Sequence, residues 1–65
     1  MKIEQAMWAM THDWARRIVP DERDPHDYTV VVEEIGTQLV QGVYVPYSEI
    51  MAFTSIKALR HWAGY

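Results

Sequence analysis

Sixty-five residues with a formal charge of −3, no cysteine and a 49% hydrophobic share describe one domain, residues 1–65. They exclude a disulfide scaffold, a thiolate metal site and a disordered chain. A chain this short buries only about 60% of the surface its unfolded form exposes, so a deep enzyme cleft is not expected. The acidic balance argues against a phosphate-binding surface, which needs a basic patch.

No apolar run approaches the roughly 18 residues of a membrane span. Glu4 and Gln5 interrupt the run that a secretory signal would need. The expected location is a reducing cytoplasm, and the three Trp, four Tyr and four Met supply bulky packing for a small core.

In chain order, Ile3, Met7, Met10, Trp14 and Ile18 recur at helical spacing and predict an amphipathic helix closed by Pro20, with Trp8 at the edge of its apolar face. The following DERDPHD has no apolar residue and predicts a solvated loop to about Asp27. YTVVVEE, residues 28–34, is β-branched and predicts a strand. A turn is expected at Gly36 and Thr37, then a returning strand over residues 38–45 with Gly42 as a bulge.

Pro46 is expected to end that strand. A second helix then begins at Tyr47 or Ser48, its face formed by Ala52, Phe53, Ile56, Leu59, Trp62 and Ala63, and Gly64 stops it. Thr54 and Ser55 leave a second option open: an extended piece or a short third strand over residues 47–53, followed by a shorter helix from Ser55. The fold class is a small α+β domain, α-β-β-α, with two helices packed on one face of an antiparallel hairpin or small sheet.

No catalytic constellation emerges. His12-Asp13 and His26-Asp27 resemble general-base pairs, but sequence neighbours rarely aim at a common atom and no Ser or Cys nucleophile is suitably spaced. Both histidines read as solvated, and His61 beside Lys57 and Arg60 reads as a helix C-terminal cation. Residues 21–27 offer oxygens for a hard cation, but lack the bend glycine and closing glutamate of a calcium loop. No metal, no cofactor and no enzyme activity are expected.

The unusual stretch is residues 21–34, where Asp21, Glu22, Asp24, Asp27, Glu33 and Glu34 stand against one base, Arg23. Two readings apply. The carboxylates serve solubility, or they form a fixed negative patch for a basic groove on a partner. Alternate strand side chains stand roughly 6.6 Å apart, so such a row could occupy places meant for phosphates. Tyr28 and Tyr44 would be the aromatic anchors.

With DERDPHD followed by YTVVVEE, this short, acidic, cysteine-free chain resembles in profile the small anti-CRISPR inhibitors of phages and mobile elements. That resemblance implies a non-enzymatic inhibitor in the cytoplasm of a bacterial host. Its partner would be a larger protein with a basic DNA- or RNA-binding groove, such as a type I CRISPR surveillance complex, whose target DNA it would block as a DNA mimic. Two alternatives stand beside it: a small DNA-binding regulator using Lys57, Arg60 and His61 with Arg16 and Arg17, and a self-associating assembly module with Trp8 and Trp62 exposed.

Overall fold

The computed structural model describes residues 1–65 and has the order α1 (Ile3–Ala9), β1 (Ala15–Pro20), β2 (Tyr28–Val40), β3 (Val43–Phe53) and α2 (Ile56–Ala63). The strands form one antiparallel sheet in the order β1-β2-β3. It is the expected α+β domain of two helices and a small antiparallel sheet, with one strand more than the minimal hairpin.

The first helix is shorter than its periodicity predicts. It ends at Ala9, because the residues that follow satisfy its last carbonyls: the Thr11 hydroxyl donates to Trp8 O at 2.7 Å, and His12 Nδ1 lies 3.2 Å from both Trp8 O and Ala9 O. Residues 15–20 then extend as β1, where Ile18 and Val19 gain a ladder partner in β2. The expected apolar face is also displaced. Met7 is 60% exposed, whereas Ala6 and Ala9 are fully buried, since small side chains let a short helix approach the sheet closely.

The hairpin turn lies at Gln41 and Gly42 instead of Gly36 and Thr37. Both turn residues have positive φ, 49° and 81°, the pattern of two-residue turns that match strand twist. Gly36 sits inside β2 opposite Tyr47, whose ring lies where a Cβ would reach it at 2.9 Å; an aromatic covers the glycine across the strands. Pro46 does not end the second strand. It stays in β3 opposite Thr37, and α2 starts only after Ser55, whose hydroxyl accepts from Ala58 N at 3.3 Å. Gly64, at φ 91°, closes that helix.

Pairing assigns the two faces of the sheet. Val30 opposite Phe53, Val32 opposite Met51 and Ile18 opposite Val30 share one face. On that face Val30 and Val32 join Met1, Ala6, Ala9 and Leu59 in the only fully packed cluster, so both helices cover the same side. Glu33 and Glu34 lie in the middle of β2, not at its end.

Helices of seven and eight residues run only about 10–12 Å, whereas the thirteen residues of β2 run about 43 Å. The core therefore occupies one end, and β2 and β3 continue beyond it as a two-stranded arm. The radius of gyration is 14.0 Å and the extents are 47 × 24 × 16 Å, against about 11 Å for a compact chain of this length.

Candidate functional site

The residues singled out in the sequence do not form one patch. Asp21, Glu22, Asp24 and Asp27 lie on the β1–β2 loop at the core end, Glu33 and Glu34 point to opposite faces of β2, and Tyr44 stands near the arm tip opposite Leu39. Tyr44 is roughly 36 Å along the strand from Tyr28. Tyr44 is 75% exposed, whereas Tyr28 is half-buried against the core.

Several of the carboxylates are engaged within the fold. Asp21 Oδ1 accepts from Arg23 N at 2.7 Å and Asp24 Oδ1 from His26 N at 3.0 Å, both side chains folding their own loop into turns. Arg16 Nε donates to Glu33 Oε2 at 3.1 Å. Asp27 Oδ1 accepts at 2.8 Å from the amino-terminal ammonium, which also donates to Tyr28 O at 2.8 Å and Thr54 O at 2.7 Å. This ties the start of α1 to β2 and to the entrance of α2.

The ammonium hydrogen bond holds the Asp27 carboxyl below its ordinary 3.8; partial desolvation opposes this, and the ammonium's charge reinforces it. A carboxylate depressed in the fold contributes stability that is present above the unfolded value and lost as pH falls below it. The melting temperature is therefore expected to drop as pH falls below about 4. In Asp27→Asn that part of the drop disappears, which a thermal melt series from pH 6 to 2 would show; parallel curves for the two proteins would refute the coupling.

Glu34 faces Glu49 directly across the ladder on the helix side of the sheet, a like-charge arrangement that weakens the pairing. Glu22 and Asp24 are exposed. On α2, Lys57, Arg60 and His61 are exposed, but Arg16 and Arg17 lie on β1, away from that helix, so the basic residues are not gathered on adjoining helices.

His12 departs from its solvated reading. Half-buried, it stacks on Trp14 at 4.6 Å with a 17° interplanar angle, meets Trp8 edge-on at 4.6 Å, and its Nε2 lies 2.8 Å from Tyr65 Oη. Trp62 joins the cluster through Trp14 and Phe53. Trp8 and Trp62 are thus half-buried rather than exposed. The cluster locks the end of α1 to α2. Beside it an open groove of about 550 Å³ runs between the helices, lined by Glu4, Gln5, Trp8, Ile56, Arg60 and Tyr65. No group of three His, Cys, Asp or Glu side chains could hold a metal ion, and no helix is long and apolar enough to cross a membrane.

The arm was not singled out in the sequence, and it is the most unusual surface of the molecule. From residue 35 to residue 48 no side chain is charged. Ile35, Leu39, Val43, Tyr44 and Ile50 are each more than 60% exposed. Ile35, Leu39, Tyr44, Pro46 and Ile50 share the face turned away from the helices, and exposed apolar stretches of this kind mark interaction sites. The signal was available in IGTQLVQGVYVPYS, an uncharged run symmetric about Gln-Gly. No family model, no curated protein and no solved structure matches the chain.

Proposed function

We propose that this chain is a non-enzymatic protein-interaction module that binds through its β2–β3 arm. The observation that carries this reading is the uncharged, exposed apolar ribbon projecting beyond the core. An isolated two-stranded ribbon is marginal in water, and a partner that covers its apolar face or extends its ladder supplies what the short helices do not. The absence of charge along it favours a partner surface that is apolar or strand-like over a phosphate backbone or a basic groove.

The test is capture from a bacterial lysate with the wild-type chain and with Leu39→Lys/Tyr44→Glu, an opposite-charge pair across the ladder, as paired baits, both first shown to be folded by circular dichroism. Both substitutions lie on exposed positions, so melting is expected to change by less than about 1 kcal/mol, while specific capture falls at least tenfold. Equal capture by both baits, together with no self-association through the arm, would overturn the reading.

A second reading, an inhibitor of the anti-CRISPR kind that occupies a basic nucleic-acid-binding groove, is favoured by the facing Glu34 and Glu49 pair. Two like charges opposed in a ladder weaken the free protein, and a lysine or arginine of a partner would relieve them. In that case Glu34→Gln/Glu49→Gln loses the partner and the Leu39/Tyr44 variant keeps it.

A further inference from the structure

We infer that the partner of the arm is a second copy of this chain, the two β2 strands pairing antiparallel, edge to edge, about a two-fold axis at Thr37. This rests on the arm being the binding element, and it names what binds there.

The free edge is defined by the backbone. Glu33 N donates to Trp14 O at 2.9 Å, and strand N–H groups alternate in direction. Glu33, Ile35, Thr37 and Leu39 therefore present their amides and carbonyls on the β1 side, and Glu34, Gly36, Gln38 and Val40 theirs toward β3. β1 reaches β2 only as far as Val32. Beyond Glu33, that edge has no strand beside it.

The two edges of the arm differ in their protection. On β3 the outward positions are Tyr44, Pro46, Ser48, Ile50 and Ala52 by the same alternation, and Pro46 removes a donor from the middle of the row, a common guard against strand addition. The β2 edge has no proline, no charge and no bulge from residue 35 to residue 40. One edge is blocked and the other is left open.

The open edge is also self-complementary. With Thr37 on the axis, Ile35 of each copy faces Leu39 of the other on the same side of the sheet, giving two apolar cross-strand pairs and about six main-chain hydrogen bonds. The same register brings the Gln41-Gly42 turn of one copy up to Trp14 of the other, whose carbonyl already takes the Glu33 amide. There the structure has a hollow of about 220 Å³ lined by Asp13, Trp14, Arg16, Glu33 and Ile35, at the corner where β1 begins. The free edge from Thr37 back to this corner and the arm from Thr37 out to its turn are equal, three residues each, residues 34–36 and 38–40. The loop carboxylates Asp21, Glu22, Asp24 and Asp27 lie at the opposite end of each sheet, and at the contact corner Glu33 is paired with Arg16 of its own copy.

Edge pairing of this length buries on the order of 500 Å² per copy, the low end for specific association, so a dissociation constant on the order of 10 µM is expected rather than an obligate dimer. The experiment combines light scattering with site-directed cross-linking. Wild-type mass is expected to rise from monomer toward dimer between about 1 and 200 µM. Thr37→Pro removes an outward donor without touching the β2–β3 ladder, so the variant should stay folded while its dissociation constant rises at least tenfold.

Paired residues at an axis have Cα atoms about 5.5 Å apart, within disulfide reach. In this cysteine-free chain Thr37→Cys is therefore expected to oxidise to a covalent dimer in high yield, and Ser48→Cys, equally exposed but on the outer strand, is not. Monomer mass at every concentration, a dimer undiminished in Thr37→Pro, or equal cross-linking at both positions would each overturn the pairing. If the pairing fails while lysate capture still depends on Leu39 and Tyr44, only the identity of the partner falls; if capture is also independent of them, the arm reading falls with it.

Discussion

Leu59→Ala is expected to leave the protein largely unfolded at room temperature. Leu59 is the largest fully buried side chain, and the large neighbours packed against its cluster, Trp8, Trp62 and Phe53 among them, are held in aromatic contacts of their own, so the space is not readily filled. Leucine-to-alanine changes in such sites cost about 2–5 kcal/mol. A core this small supplies rarely more than about 3–5 kcal/mol in total. Urea melts followed by circular dichroism would show it, with Ile50→Ala as the comparison. Ile50 is 61% exposed on the arm, and its loss should shift stability by no more than about 0.5 kcal/mol. Similar losses for both variants would mean that the arm is part of the stabilising core.

Val30→Asp should be at least as damaging, and its neighbour should not. Val30 is fully buried among apolar side chains, and the one cation of the cluster, the Met1 ammonium, is already paired with Asp27, so a carboxylate there is desolvated at a cost of about 3–5 kcal/mol. Val31, one residue on, points to the opposite face, is only half-buried and lies across the ladder from Arg17, which offers a cation to an introduced carboxylate. Val31→Asp is expected to cost about 1 kcal/mol or less. Thermal melts of the two variants test the assignment of faces directly. Comparable losses would show that the helices do not cover one side alone.

These contrasts mark how far local pattern reached. The three valines of residues 30–32 predict a strand because a β-branched run has no favourable helical packing, and β2 begins where expected, at Tyr28. Ser55 and Gly64 carry cap chemistry that fixes α2 at both ends, although the apolar period suggested a longer helix from Tyr47 or Ser48. Ala52 and Phe53 fit that period equally well and are strand residues. Periodicity over so few residues does not distinguish the two while β2 offers a ladder.

The same limit applies at the amino terminus, where Ile3, Met7, Met10, Trp14 and Ile18 obey a helical spacing. The chain nonetheless turns at Thr11 and His12, and Trp14 and Ile18 reach the core from outside the helix. The acidic segment was visible as composition, but its division was not. Asp21 and Asp24 shape their loop and Asp27 holds the ammonium, while Glu33 and Glu34 part to opposite faces.

By itself the sequence determined the class of the molecule: a small cysteine-free α+β fold with a β-branched strand at its centre and a capped second helix. Only the tertiary structure decided which apolar residues are core and which are surface. Periodicity records which side chains share a face, whereas burial depends on whether another layer lies over that face. Here two helices of about 10–12 Å cover one end of a strand more than three times as long. Val30 and Val32 at that end are buried, and Ile35, Leu39 and Tyr44, no less apolar or aromatic, are left exposed.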